Sequence, residues 1–164
     1  MALRVEQALA FAHRGRARKT IAYRRILVPV VDREISEQAM EIACRLAAER
    51  RTSVTAVSVI EVPVELPLDA HMFDAEDELK PVLAEANAIA ELYGVSVEAK
   101  TLRGRSAGEA IVQEAKRARS EIIVLSAPRK LRASRRAPVF GNTVDYVLKH
   151  APCRVMVAAA PARG

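Results

Sequence analysis

EIIVLSAPRKLRASRRAPVFGNTVDYVLKHAPCRVMVAAA, residues 121–160, reads as a buried strand, a long basic loop, a short helix and a second buried strand. Ile122 to Leu125 is an unbroken apolar run, β-branched at three of its four positions, the pattern of a parallel strand covered on both faces. The helix is expected to begin at Gly141-Asn142-Thr143, where glycine permits close backbone approach and Asn142 or Thr143 can cap first-turn amides. It should end before Ala151-Pro152, because a residue that precedes proline avoids helical geometry. Residues 154–160 then form the last strand. A strand end, a basic loop and a helix N-terminus together point to an anion site.

Working outward, residues 25–31, RILVPVV, read as the first strand. Pro29 cannot donate a ladder hydrogen bond and is expected near its end. A helix follows from about Ser36 to Arg50, with Ala39, Ala43, Leu46 and Ala47 on one face and basic residues closing it. Residues 54–60 read as the second strand, and 61–77, with its prolines and acids, as a solvated loop. A second helix is expected to start near Pro81, a residue tolerated in a first turn, and to stop at Gly94. Residues 95–101 alternate, with Val95, Val97 and Ala99 facing inward, as suits a sheet edge. Ser106-Ala107-Gly108-Glu109 matches a capping box opening a third helix.

Strands and helices thus alternate along the chain. Right-handed crossovers make this an α/β fold: an open parallel five-stranded sheet, order 3-2-1-4-5, with helices on both faces. The strand order reverses between strands one and four, and ligands in such sheets bind beyond the strands' carboxyl ends at that point. Val31 and Asp32 fall there beside Ser126, with Gly141, Asn142 and Thr143 above them.

The chain has 164 residues, enough for one domain with a sizeable core. It contains no Trp and only three each of Phe and Tyr, so aliphatic residues carry the packing. Cys44 and Cys153 read as small buried hydrophobes, not as a disulfide or metal site. No apolar run is long enough to cross a membrane. The net charge of +6 is local: residues 1–25 carry seven Lys and Arg against Glu6 alone, leaving acids and bases balanced over 26–164. That balance argues against a nucleic-acid-binding domain. It divides the chain into a basic arm or linker (1–24), a folded domain (25–160) and a short tail (161–164). The arm is either a frayed tail or a juxtamembrane segment that favours anionic lipid.

RILVPV, ISEQAMEIACRLA, GRSAGEAIVQEAKRARSEIIVLS and GNTVDYVLKHAPCRVMV, in that order, resemble the universal stress protein family. The resemblance implies a cytoplasmic Rossmann-like domain, commonly dimeric, with one branch that binds ATP or AMP. That branch carries an Asp after the first strand's Pro-Val and a Gly-x2-Gly-x9-Gly-Ser/Thr loop after strand four. Here the Asp position is Val31, with Asp32 one step later, and the first two glycine positions are Pro128 and Leu131. Only Gly141 is kept. Side chains replace two glycines that would let backbone amides wrap a triphosphate, so ATP binding is expected to be weak. The loop has instead gained Arg129, Lys130, Arg132, Arg135 and Arg136, and arginine forks bind phosphate oxygens well.

The expected contact set is Pro29, Val30, Val31, Asp32, Val59, Ser126, Arg129, Gly141, Asn142 and Thr143, with phosphate between Arg129 and the helix start and the apolar part near Val31 and Val59. No catalytic residue is expected, since His13, His71 and His150 are scattered, and no metal beyond Mg accompanying a nucleotide. The basic loop and arm also resemble universal stress domains attached to amino-acid permeases. The reading is therefore a regulatory domain that binds an adenine-nucleotide-like anion weakly, a protein partner, or both. It pairs with a second copy through strand five (154–160), and it either stands free in the cytoplasm or serves a membrane transporter at the inner face of the membrane. The alternatives are a nucleotide-free dimerisation scaffold and a weak ATPase.

Overall fold

The computed structural model describes residues 22–31, 33–128 and 141–159, with the side chains of 33–36 outside that description. The arm (1–21), Asp32, Arg129 and the rest of the basic loop up to residue 140 therefore lie outside the described residues. The elements are β1 (Ile26–Pro29), α1 (Arg33–Arg50), β2 (Val54–Glu61), α2 (Phe73–Leu92), β3 (Val97–Gly104), α3 (Ala107–Arg117), β4 (Ile122–Ser126), α4 (Gly141–His150) and β5 (Arg154–Ala158). All five strands run parallel in the order β3-β2-β1-β4-β5, as the alternation of elements requires.

Side-chain alternation divides the core. Ile26, Val28, Val54, Ala56, Ile122 and Val124 pack against α1 and α2 on one face. Leu27, Val57, Ile123 and Leu125 pack against α3 and α4 on the other. The central strand β1 is buried along its whole length, and Pro29 is its last residue. The amide of Val30 still donates to the Val57 carbonyl at 2.8 Å. The buried Ser58 hydroxyl donates to the Val30 carbonyl at 3.0 Å. These two bonds hold the exit of β1 against β2.

Three local expectations are corrected. α1 begins at Arg33, not near Ser36, as no proline or glycine intervenes after β1. α2 begins at Phe73, not near Pro81, so Pro81 lies inside it and the segment 73–77 is helix, not loop. An interior proline costs about 3 kcal/mol. Burial of Val82 and Ile89, at about 1.5–3 kcal/mol each, offsets that. Asp74 and Glu76 favour the helix start through the dipole. Third, β3 runs from Val97 to Gly104 and Ala99 is exposed, because this edge strand is not covered along its full length.

β3 also carries a polar anchor. The Glu114 carboxylate of α3, only 6% exposed, pairs with Lys100 at 3.4 Å and Arg117 at 2.5 Å. The hydrogen bond from Arg117 holds its carboxyl below the usual carboxylate range, against the opposing effect of burial. A depressed folded-state value means that this stabilisation is present above about pH 4.3, the ordinary glutamate value, and is lost as the pH falls through the lowered one. Glu114→Gln should flatten the acid limb of the stability–pH curve below about pH 4.3, read by urea denaturation at stepped pH. An unchanged slope would mean that the pair does not couple to folding.

Candidate functional site

Between the carboxyl ends of β1 and β2 lies a cleft of about 270 Å³. Pro29, Val30 and Val31 form one wall. Val57, Val59 and Glu61, three successive residues on one face of β2, form the next. Leu79 of α2, Ala107 and Ile111 of α3, and Thr143 of α4 complete it. The position is the one that topology dictates, since β1 and β4 leave their crossovers to opposite faces of the sheet.

Of the expected contact residues, the structure brings Pro29, Val30, Val31, Val59 and Thr143 together around this cleft. Val31 sits at the rim and is 69% exposed. Gly141 and Asn142 share the first turn of α4 with Thr143 but do not form its walls. Ser126 ends β4, with its Oγ buried and without a hydrogen-bond partner among the described residues, and likewise stands outside the walls. Asp32 and Arg129 lie outside the described residues.

One expectation about a helix start changes, at α3. At α4, no described residue lies within 4 Å of a Cβ placed on Gly141. Its φ of +81° is a left-handed conformation that side chains disfavour, which is reason enough for glycine there. Ser106 is the N-cap of α3 but makes no side-chain cap bond. Instead Glu61 Oε1 accepts the Ala107 amide at 2.7 Å. A carboxylate from the end of β2 thus takes the place of the local capping box, and the positive end of α3 favours it.

Glu61, Leu79, Val57, Ala107 and Ile111 were not among the expected contacts. Glu61 is the one ionisable side chain among the described residues that line the cleft. The cleft is otherwise apolar apart from the Thr143 hydroxyl, so it suits a flat apolar ring more than a bare anion. The two described histidines are elsewhere: His71 stacks on Phe73, and His150 ends α4 with its ring nitrogen 2.9 Å from the Tyr146 carbonyl. No cluster of three or more metal-ligating side chains occurs among the described residues.

A larger depression, about 520 Å³, lies at the opposite end of the sheet between Arg51, Ser53, Tyr93 and Ser96. It sits at the strands' amino ends, where this topology provides no crevice, and it collects no helix N-terminus. The smaller cleft is the better candidate.

The family model for the universal stress protein family matches residues 22–159. The chain belongs to the universal stress protein family. It is 28% identical over 145 residues to a universal stress protein of Methanocaldococcus jannaschii, covering 85% of this chain and 84% of that one. A universal stress protein solved in complex with cAMP superposes with a TM-score of 0.67 at 18% identity, covering 85% of this chain and 98% of that one. The universal stress protein from Archaeoglobus fulgidus in complex with dAMP gives 0.65 at 20% identity, covering 84% and 98%. At such identities the likeness to the solved structures is one of fold. Like them, this universal stress domain is an α/β parallel sheet with order 3-2-1-4-5. Among its described residues no helix is long and apolar enough to cross a membrane.

Proposed function

We propose that this universal stress domain is a regulatory binding module whose cleft takes an adenine mononucleotide. The carrying observation is the cleft itself: an apolar slot at the switch point, walled by Val31 and Val59, with the first turn of α4 at its side. The base lies between the β1 and β2 ends, and the phosphate meets the first-turn amides of α4. The relatives solved with cAMP and dAMP support a nucleotide of this size. Pro128 and Leu131, where glycines would wrap a triphosphate, favour a monophosphate over ATP.

Isothermal titration with AMP and ATP tests this reading. AMP is expected to bind, and ATP more weakly. Gly141→Val puts a β-branched residue at φ +81°, which distorts the first turn of α4 and should weaken AMP by at least about tenfold, equivalent to 1.4 kcal/mol. AMP binding unaffected by that variant would move the phosphate away from α4.

In the same reading two copies pair through β5. This edge strand has one hydrogen-bonded neighbour, β4, and its Val155 and Val157 are half-buried while Met156 is exposed. It lacks the inward charge or proline that discourages edge pairing. Light scattering is expected to give a dimer at micromolar concentration, weakened by Val157→Lys. A monomeric unmodified protein would contradict this.

A further inference from the structure

We infer that Glu61 determines which ligand the cleft accepts, selecting a ring that carries an exocyclic amine and turning the ligand's anionic end toward α4. The inference rests on the nucleotide reading above and assigns the group that reads the base. Glu61 follows Val57 and Val59 on the face of β2 that lines the cleft, so its side chain stands at the end of the apolar wall on which a ring would lie.

One carboxylate oxygen of this exposed side chain is anchored. Oε1 accepts the Ala107 amide at 2.7 Å, which ties the carboxylate to the first turn of α3. Oε2 has no hydrogen-bond partner among the described residues. A carboxylate is an acceptor only. A ring amine can donate to it, whereas a ring carbonyl at the same place would set oxygen against oxygen. Such an unpaired, repulsive contact is how a site rejects a near-isostere.

Charge fixes the direction as well. β2 and β4 flank β1, so their ends stand about 10 Å apart at the usual strand spacing. One pole of the site, at β2 and α3, carries the Glu61 carboxylate, and α3's positive end is already engaged by it. The other pole, at the start of α4, offers backbone amides without a carboxylate in the first turn. A ligand with an amine at one end and a phosphate at the other matches both poles in one orientation only.

The experiment compares AMP with IMP, which replaces the ring amine by a carbonyl, on the full chain by isothermal titration. The unmodified protein is expected to bind AMP at least about tenfold more tightly, the discrimination of a single donor–acceptor mismatch. Glu61→Gln retains an oxygen for the Ala107 amide and adds an N–H that can meet the IMP carbonyl. In that variant the AMP/IMP ratio should fall to near one or invert, with an unchanged melting temperature showing that α3 stays capped. Glu61→Ala should also bring the ratio near one. A ratio that survives both substitutions, or equal binding of AMP and IMP to the unmodified protein, would overturn the role of Glu61 and leave the nucleotide site standing. If neither nucleotide binds the unmodified protein, the nucleotide reading and this inference fail together.

Discussion

Replacing Gly108 with valine is expected to destabilise the fold by about 2–4 kcal/mol, at the upper end of overpacking costs. Gly108 is the second residue of α3, and a Cβ there would lie 2.8 Å from Tyr146 Cβ and 2.9 Å from Tyr146 Cδ1 on α4. Because Tyr146 Cβ is fixed to the backbone, no rotamer change relieves the contact, and the two helices must move apart. Helix propensity acts the other way, since glycine is a poor helix former, but that gain is under about 1 kcal/mol. The clash therefore wins. For a domain of this size the thermal midpoint should fall by roughly 4–16 °C. Both helices carry cleft residues, Ala107 and Ile111 on one and Thr143 on the other, so AMP affinity should fall as well. A midpoint within a degree of the unmodified protein would show that α3 and α4 are not in close contact here.

The second large effect is on binding. Val59→Trp places an indole in the cleft from a half-buried position on its β2 wall. It should remove AMP binding by at least about two orders of magnitude, or roughly 2.8 kcal/mol, because ring and base claim the same space. Ser96→Trp, in the larger depression at the other end of the sheet, serves as the matched control and should leave AMP affinity unchanged. Loss of binding in the control alone would exchange the roles of the two cavities.

The residues that made the architecture legible are those whose burial depends on local sequence. Ile122–Leu125 is apolar at every position because β4 is covered on both faces, and no other element type of that length fits the run. Gly94, with φ +64°, and Pro152 mark helix ends through backbone conformation, which is a property of the residue itself. The start of α2 was not legible, because Pro81 resembles a first-turn residue and its tolerance inside the helix depends on burial of Val82 and Ile89 against distant partners. The cap of α3 was obscured for a similar reason: its partner, Glu61, is 46 residues away in sequence.

The site divides along the same line. Pro29, Val30, Val31, Val59 and Thr143 follow from strand order and the switch point, which sequence patterning supplies. Glu61 was within reach, since extending the period-two alternation of β2 by one step past Val59 places it on the same wall. Leu79 was not, because its position depends on the start of α2, where residues 73–77 read as loop.

Nuclear magnetic resonance of the methyl-labelled chain titrated with AMP would locate an adenine mononucleotide in the cleft at the ends of β1 and β2. Saturable shifts are expected at Val31, Val57, Val59, Leu79, Ile111 and Thr143, with Val95 at the opposite end unmoved. Saturable shifts confined to Val95 and its neighbours, or no shifts at millimolar AMP, would contradict that placement.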